Sequence, residues 1–168
     1  MAGRDSRFRG AANRLLQVIA LYVPGSMTTR PTLHKLRGVR IGEGTFIGTD
    51  ALIETSQPHL VSIGKGVVIG IRCVIIAHFR GAVSSDRPSV IIEDDVFLGP
   101  GAIILPHVTI GRGAVVMAGS VVSRSVPPMT MVQGNPARAV ATCGVPLGMT
   151  TPLGEFFRQL KPIRPARP

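Results

Sequence analysis

An aliphatic residue recurs every six positions along most of this chain, usually with Gly or an acid after it: Ile41-Gly42, Ile47-Gly48, Ile53-Glu54, Ile63-Gly64, Ile69-Gly70, Ile92-Glu93 and Leu98-Gly99. The series continues through Ile104, Ile110-Gly111, Val116 and Val122. Four places after each of these except Ile53 stands a small or β-branched residue: Thr45, Ala51, Val67, Cys73, Val96, Ala102, Val108, Ala114, Ser120 and Val126. A period of six matches neither a 3.6-residue helix nor a simple alternating strand. It matches a short strand plus a corner, repeated around a three-sided prism, and such self-similarity is the mark of a solenoid. Each hexad is then one flat side, and three make a coil.

Spacing supports that grouping. Ile92 to Ile110 is 18 residues, three uninterrupted hexads. Ile41 to Ile63 is 22 and Ile63 to Ile92 is 29, so residues in excess of 18 leave the prism as two loops. Cys73 thereby becomes a small interior residue. The low aromatic content of 4%, with 20 Gly and 14 Pro, agrees with many short Ile/Val strands between tight corners.

Outside the repeat, residues 7–23 are expected to form a helix with Leu15, Leu16, Ile19 and Tyr22 on its apolar side, ended by Pro24-Gly25. That side is expected either to cap the open end of the core or to touch a membrane surface. After Pro127-Pro128 the hexads fade, and the tail 145–168, with a short helix around Leu153–Leu160, is expected to pack back on the coil or on a neighbour. The apolar run Leu15–Val23 is too short to span a bilayer, and no small-residue cleavage site follows it. Cys73 and Cys143 lack metal or redox spacing and suit a reducing cytoplasm. The formal charge of +10 suits nucleic acid, an anionic membrane or an anionic cofactor. Nucleic acid is disfavoured because no aromatic residues interleave with the basic ones.

The segment VIIEDDVFLGPGAIILPHVTIGRGAVVMAGSVVSRSVPPMTMVQGNPARAV, with its AGSVV, PP and GNPAR pieces in order, resembles the hexapeptide-repeat acyltransferases of the maltose, galactoside and xenobiotic O-acetyltransferase group. The hexads extend that resemblance back to Val39. It implies a mainly β protein, a left-handed parallel β-helix with an N-terminal helix and a short C-terminal extension. Divided accordingly, the chain has a helical cap at 1–38, the acyltransferase β-helix at 39–140 and a tail at 141–168. The left hand comes from the resemblance alone, because parallel crossovers are ordinarily right-handed. It further implies acetyl-CoA or another acyl-CoA as co-substrate, no metal, and a homotrimer with coenzyme A between neighbouring coils.

Acyl transfer to a hydroxyl or amine needs a base and donors for the developing oxyanion. The chain offers four histidines, and His78 is placed as the resembling enzymes place their base, where the longer loop opens and ahead of VIIEDDVFLGPG. His107 sits at an outward position of an unbroken hexad, His34 precedes the repeat, and His59 lies in the shorter loop, where it is assigned with Arg80 to the acceptor. Glu54 is read as an acceptor-site or orienting residue, against the plainer role of an exposed corner acid. By family position Phe97 stands where relatives carry Trp beside the pantetheine arm, with Gly99, Pro100 and Ala118 supplying main-chain contacts. Ser123, Arg124, Gly134, Asn135 and Arg138 are carried over to the nucleotide end. Residues 78–91, with Ser84, Ser85, Asp86 and Arg87, are expected to shape acceptor entry. The reaction expected is direct transfer to a small acceptor such as a sugar, antibiotic or biosynthetic intermediate. Three alternatives stay open: a longer acyl group or one delivered by a carrier protein, a γ-carbonic-anhydrase-like enzyme, and a catalytically silent scaffold. The carbonic-anhydrase reading lacks a closely spaced His pair, since His78 and His107 are 29 residues apart.

Overall fold

A computed structural model describes residues 2–79 and 87–163, with main chain alone for residues 2–9. Its central part is a three-sided parallel coil. The first turn is β1 (Arg40–Ile41), β2 (Phe46–Ile47) and β3 (Leu52–Ile53), and the second is β4 (Val61–Ile63), β5 (Val68–Ile69) and β6 (Val74–Ile75). The third is β7 (Val90–Ile92), β8 (Phe97–Leu98) and β9 (Ile103–Ile104), and the fourth is β10 (Val108–Ile110), β11 (Val115–Val116) and β12 (Val121–Val122). Side A stacks β1-β4-β7-β10, side B carries β2-β5-β8-β11 and side C stacks β3-β6-β9-β12.

Strand register follows the hexads. Ile41 pairs with Ile63, Ile63 with Ile92 and Ile92 with Ile110, so the excess residues between them lie outside the coil. Both excursions, 54–60 and 76–89, leave at the same corner, where side C passes into side A. The inward columns Ile47-Ile69-Leu98-Val116 and Ile53-Ile75-Ile104-Val122 are buried, each side chain contributing about 1.5–3 kcal/mol. Cys73 is fully buried between them, and burial pushes its thiol up to about 11.

Glycine after the inward aliphatic has a steric cause. A Cβ on Gly99 would lie 2.5 Å from the Ala118 main-chain nitrogen in the next turn. Gly99→Ala is expected to strain that contact by about 1–3 kcal/mol and to lower the melting temperature by roughly 3–10 °C in thermal circular dichroism. An unchanged melting temperature would show that adjacent turns can move apart freely.

Beyond β12, Val126 bridges Ile110, and β13 (Thr130–Gln133) extends side B. The chain then reverses into β14 (Arg138–Thr142) and, later, β15 (Lys161–Pro162), both antiparallel additions. A short helix at Leu153–Arg158 buries Phe156 against Val115, Met131, Ala141 and Cys143, so the tail packs back on side B.

The N-terminal part departs from the sequence reading in two ways. The helix α1 runs Ala2–Tyr22, and a second, α2 (Thr29–Leu36), follows it where none was expected. The apolar side assigned to capping is turned outward: Leu15 is 62%, Ile19 43% and Tyr22 69% exposed, and Leu16 is half-buried. Gln17 and Ala20 face the coil instead. The reason is the open edge of the first turn, whose main-chain groups have no coil beneath them and need partners. The Gln17 amide donates to Ala51 O at 3.1 Å, Arg30 to Ile47 O at 2.8 Å, and Arg37 to Ile53 O at 3.0 Å. The cap is built of donors for an unpaired edge, so polar side chains take the buried face. Among the described residues no helix is long and apolar enough to cross a membrane.

Candidate active site

Glu54 follows β3 and His78 follows β6, the strand stacked on it through the Ile53–Ile75 pair. Both therefore emerge at the corner where the two excursions leave. His78 Nδ1 lies 2.8 Å from Glu54 Oε2. The same oxygen accepts the Ala77 N–H at 3.0 Å, and Oε1 accepts the N–H groups of Ser56 at 2.8 Å and Gln57 at 3.0 Å. Glu54 is only 3% exposed, so the role of an exposed corner acid is excluded. The first excursion folds over its carboxylate and supplies two of its donors.

Burial pushes the Glu54 carboxyl upward, but the N–H groups of Gln57, Ala77 and Ser56 and the His78 ring outweigh it and hold it below the usual value. An ionised carboxylate only accepts, so the proton of a neutral His78 sits on Nδ1 and the lone pair on Nε2. The His78 side chain remains 24% exposed while its partner is 2% exposed, which leaves a reachable ring on a sequestered anchor.

A layer of buried polar groups that the hexad reading missed lies behind Glu54. Arg37, just past α2, donates to Glu54 O at 2.6 Å and is 4% exposed. Its guanidinium also meets His34 Nδ1 at 2.8 Å and the Gln17 side-chain oxygen. Burial, then the adjacent Arg37 charge, lower the His34 pKa from 6.5 to about 3. Burial lowers that of Arg37 to about 10, with the Glu54 charge acting in the opposite sense. These residues precede the repeat, and the only sequence signal is the cluster of His34 and Arg37 immediately before the first Ile-Gly step.

The His34 shift has a stability consequence. Between pH 6.5 and about 3 the unfolded chain binds a proton that the folded chain refuses, so this contribution is complete above the ordinary value and is lost as pH falls. The urea midpoint of the protein is expected to fall from pH 7 to pH 5, and His34→Gln, which keeps an acceptor for Arg37, is expected to flatten that fall. Equal slopes in the two proteins would remove His34 as the cause.

The other candidates fall into separate places. His59 is exposed and lines a cavity of about 570 Å³ with Asn13, Leu36, Arg37 and Ser56; His78 does not line it. Arg80, Ser84, Ser85 and Asp86 lie outside the described residues. His107 is exposed and meets the Ser89 hydroxyl at 3.3 Å. Phe97 is half-buried on the outer face of side B, against the cluster formed with the tail. Gly99 is buried and its N–H is donated to Val116 O at 2.8 Å, so that N–H is not a free donor for a ligand. Pro100 and Ala118 are exposed at the corner between sides B and C, and Gly134 continues that column through its N–H to the Ser120 hydroxyl at 3.1 Å, with Asn135 exposed beside it. Ser123 is exposed after β12, and Arg124 and Arg138 line one cleft of about 180 Å³ near the last turn. Among the described residues no group of three His, Cys, Asp or Glu side chains is arranged to hold a metal ion.

Within this three-sided parallel coil of hexads, residues 89–124 match the family model "Bacterial transferase hexapeptide (six repeats)". The chain is 35% identical over 130 residues to the "Putative acetyltransferase YvoF" of Bacillus subtilis (strain 168), covering 77% of this chain and 76% of that one. Over 71 residues it is 41% identical to the 2,3,4,5-tetrahydropyridine-2,6-dicarboxylate N-acetyltransferase of Brevibacillus brevis, of which it spans 30%. The crystal structure of the hexapeptide-repeat acetyltransferase VCA0836 of Vibrio cholerae O1 biovar eltor, complexed with acetyl-CoA, superimposes with a TM-score of 0.63 at 26% identity, covering 81% of this chain and 87% of that one. The chain belongs to the hexapeptide-repeat acyltransferase family, and its coil is the left-handed parallel β-helix of that family. It is an acyltransferase of that family.

Proposed function

We propose that the protein transfers an acetyl group from acetyl-CoA directly to a hydroxyl or amine of a small acceptor, with His78 as general base. The observation that carries this reading is the 2.8 Å contact between His78 Nδ1 and the buried, ionised Glu54. His78 Nε2 takes the proton of the acceptor as its oxygen or nitrogen attacks the thioester carbonyl. The new C–O or C–N bond forms, the C–S bond breaks, and the proton passes to the departing coenzyme A thiolate. Pro100 and Ala118 lie along the pantetheine arm, with Phe97 near it. Ser123, Gly134 and Asn135 serve the nucleotide end, where Arg124 and Arg138 offer two guanidinium forks for its phosphates.

The working form in this reading is a homotrimer. Leu52, Val74, Ile103 and Val121 stack in register on the outer face of side C, with Leu52 37% exposed and no polar residue among them. That face lies between the Pro100–Ala118 corner and the His78 corner, so a neighbour covering it reaches both. His59, Arg80 and the loop after His78 are assigned to the acceptor, whose class is a sugar, an aminoglycoside-like antibiotic or a biosynthetic intermediate.

Calorimetric binding of acetyl-CoA, light scattering for subunit number, and a free-thiol assay over sugars, aminoglycosides and phenols test the reading together. Micromolar to millimolar acetyl-CoA binding by a trimer with turnover of one acceptor class is expected. Absence of binding to any acyl-CoA would overturn the donor assignment and shift attention to carrier-bound acyl groups.

A further inference from the structure

Glu54 is held from two directions. Its carboxylate is gripped by three N–H groups and His78, and its carbonyl by the guanidinium of Arg37 at 2.6 Å. Arg37 also takes the carbonyl of Ile53 at 3.0 Å, so it spans the last strand residue and the first residue of the excursion. Gln17 of α1 joins the same set, its oxygen on Arg37 and its nitrogen on Ala51 O. His34 of α2 completes it as a neutral ring whose Nδ1 accepts from Arg37. Arg37 and His78 both interact with Glu54. A buried cation that touches only carbonyls, an amide and a neutral imidazole needs a compensating charge nearby, and Glu54 is that charge.

Capping the open edge of the first turn does not by itself require a charge. Gln17 caps Ala51 O with a neutral amide. At Glu54 the cap is a planar fork with several donors, fixed from two helices, and it sets the main chain from which the carboxylate projects. Because the Glu54–His78 contact is short, a displacement of this main chain by less than an ångström is enough to loosen it.

We propose that Arg37, braced by Gln17 and His34, is a positioning residue for the Glu54–His78 pair, so that the N-terminal helices form the back wall of the acyl-transfer site. This rests on the assignment of His78 as the base, and the experiment separates the two.

Arg37→Met and Gln17→Leu are compared with wild type, with Glu54→Gln and His78→Ala as site references and Leu15→Ala on the exposed face of α1 as a control. Steady-state kinetics with acetyl-CoA and the best acceptor of the panel are combined with ¹H–¹⁵N long-range NMR of the imidazole rings, which reports the His78 tautomer without any acceptor. Arg37→Met is expected to lower kcat roughly 10–100-fold, with KM for acetyl-CoA within about twofold, and to reduce the Nδ1–H tautomer of His78. Gln17→Leu, which keeps the guanidinium on Glu54, is expected to show the same changes at about 3–5-fold in kcat and to remain interpretable should Arg37→Met not fold. Leu15→Ala is expected to match wild type. A folded Arg37→Met or Gln17→Leu protein with wild-type kcat and an unchanged tautomer, or with only a lower melting temperature, overturns the proposal. Full activity in His78→Ala would instead overturn the base assignment, whatever the tautomer result for Arg37.

Discussion

Replacing His78 by alanine is expected to lower the rate of acyl transfer by about 10²–10⁴-fold while leaving acetyl-CoA binding within a factor of about two. The separation is spatial. The column assigned to pantetheine lies at the corner between sides B and C, and the cleft of Arg124 and Arg138 lies near the last turn, whereas His78 follows β6 in the second. With His78 as the proposed base, loss of the ring removes the acceptor's proton sink and no part of either region. Because the His78 side chain is partly exposed and the Glu54 carboxylate keeps its three main-chain donors, the folded state is expected to survive the change. Calorimetry with acetyl-CoA and the thiol-release rate measured on the same preparation decide it. A variant that turns over at the wild-type rate would remove the imidazole from the chemistry altogether.

Glu54→Gln is expected to damage both the chemistry and the fold. An amide cannot accept at both ends. Its NH₂ must face either the N–H groups of Ser56 and Gln57 or the pair formed by the Ala77 N–H and His78 Nδ1. In the second arrangement the His78 ring is driven to the other tautomer, Nε2 carries the proton, and the base is lost; a comparable tautomer trap costs about 10⁴ in the serine-protease triad. Arg37 meanwhile loses the charge that offsets its burial. Leaving one partner of a buried pair uncompensated costs about 3–5 kcal/mol, which urea denaturation reads directly. Rates within about tenfold of wild type together with an unchanged urea midpoint would show that the carboxylate's charge is immaterial.

What the sequence made legible was the coil. The 22- and 29-residue intervals located both excursions, and the paired register of Ile41, Ile63, Ile92 and Ile110 follows directly from them. Cys73 was legible as an interior residue for the same reason. The environment of Glu54 was not. It occupies the position that glycine holds after Ile41, Ile47 and Ile63, where a side chain would be expected at an exposed corner, and only the return of residues 55–57 over it creates its pocket. Nor was the inward face of the two N-terminal helices, because hydrophobic patterning selects Leu15 and Ile19 whereas an unpaired strand edge selects Gln17 of α1 and Arg37 just past α2. Patterning reports how side chains partition between interior and solvent, and it carries no account of main-chain groups in want of partners.

The placement of both excursions at one corner has a further consequence. On the other two edges of the prism chain length is quantised, since a single added residue would turn every following inward side chain outward and set a Cβ against the neighbouring turn. At the corner from side C to side A the chain is off the lattice, and 7 or 14 residues fit there with the register downstream intact. Loop composition and structural integrity are thus written in different stretches of the chain, so the two excursions, one of which carries the proposed base His78, can lengthen, shorten or change composition while the turns of the coil keep their pitch.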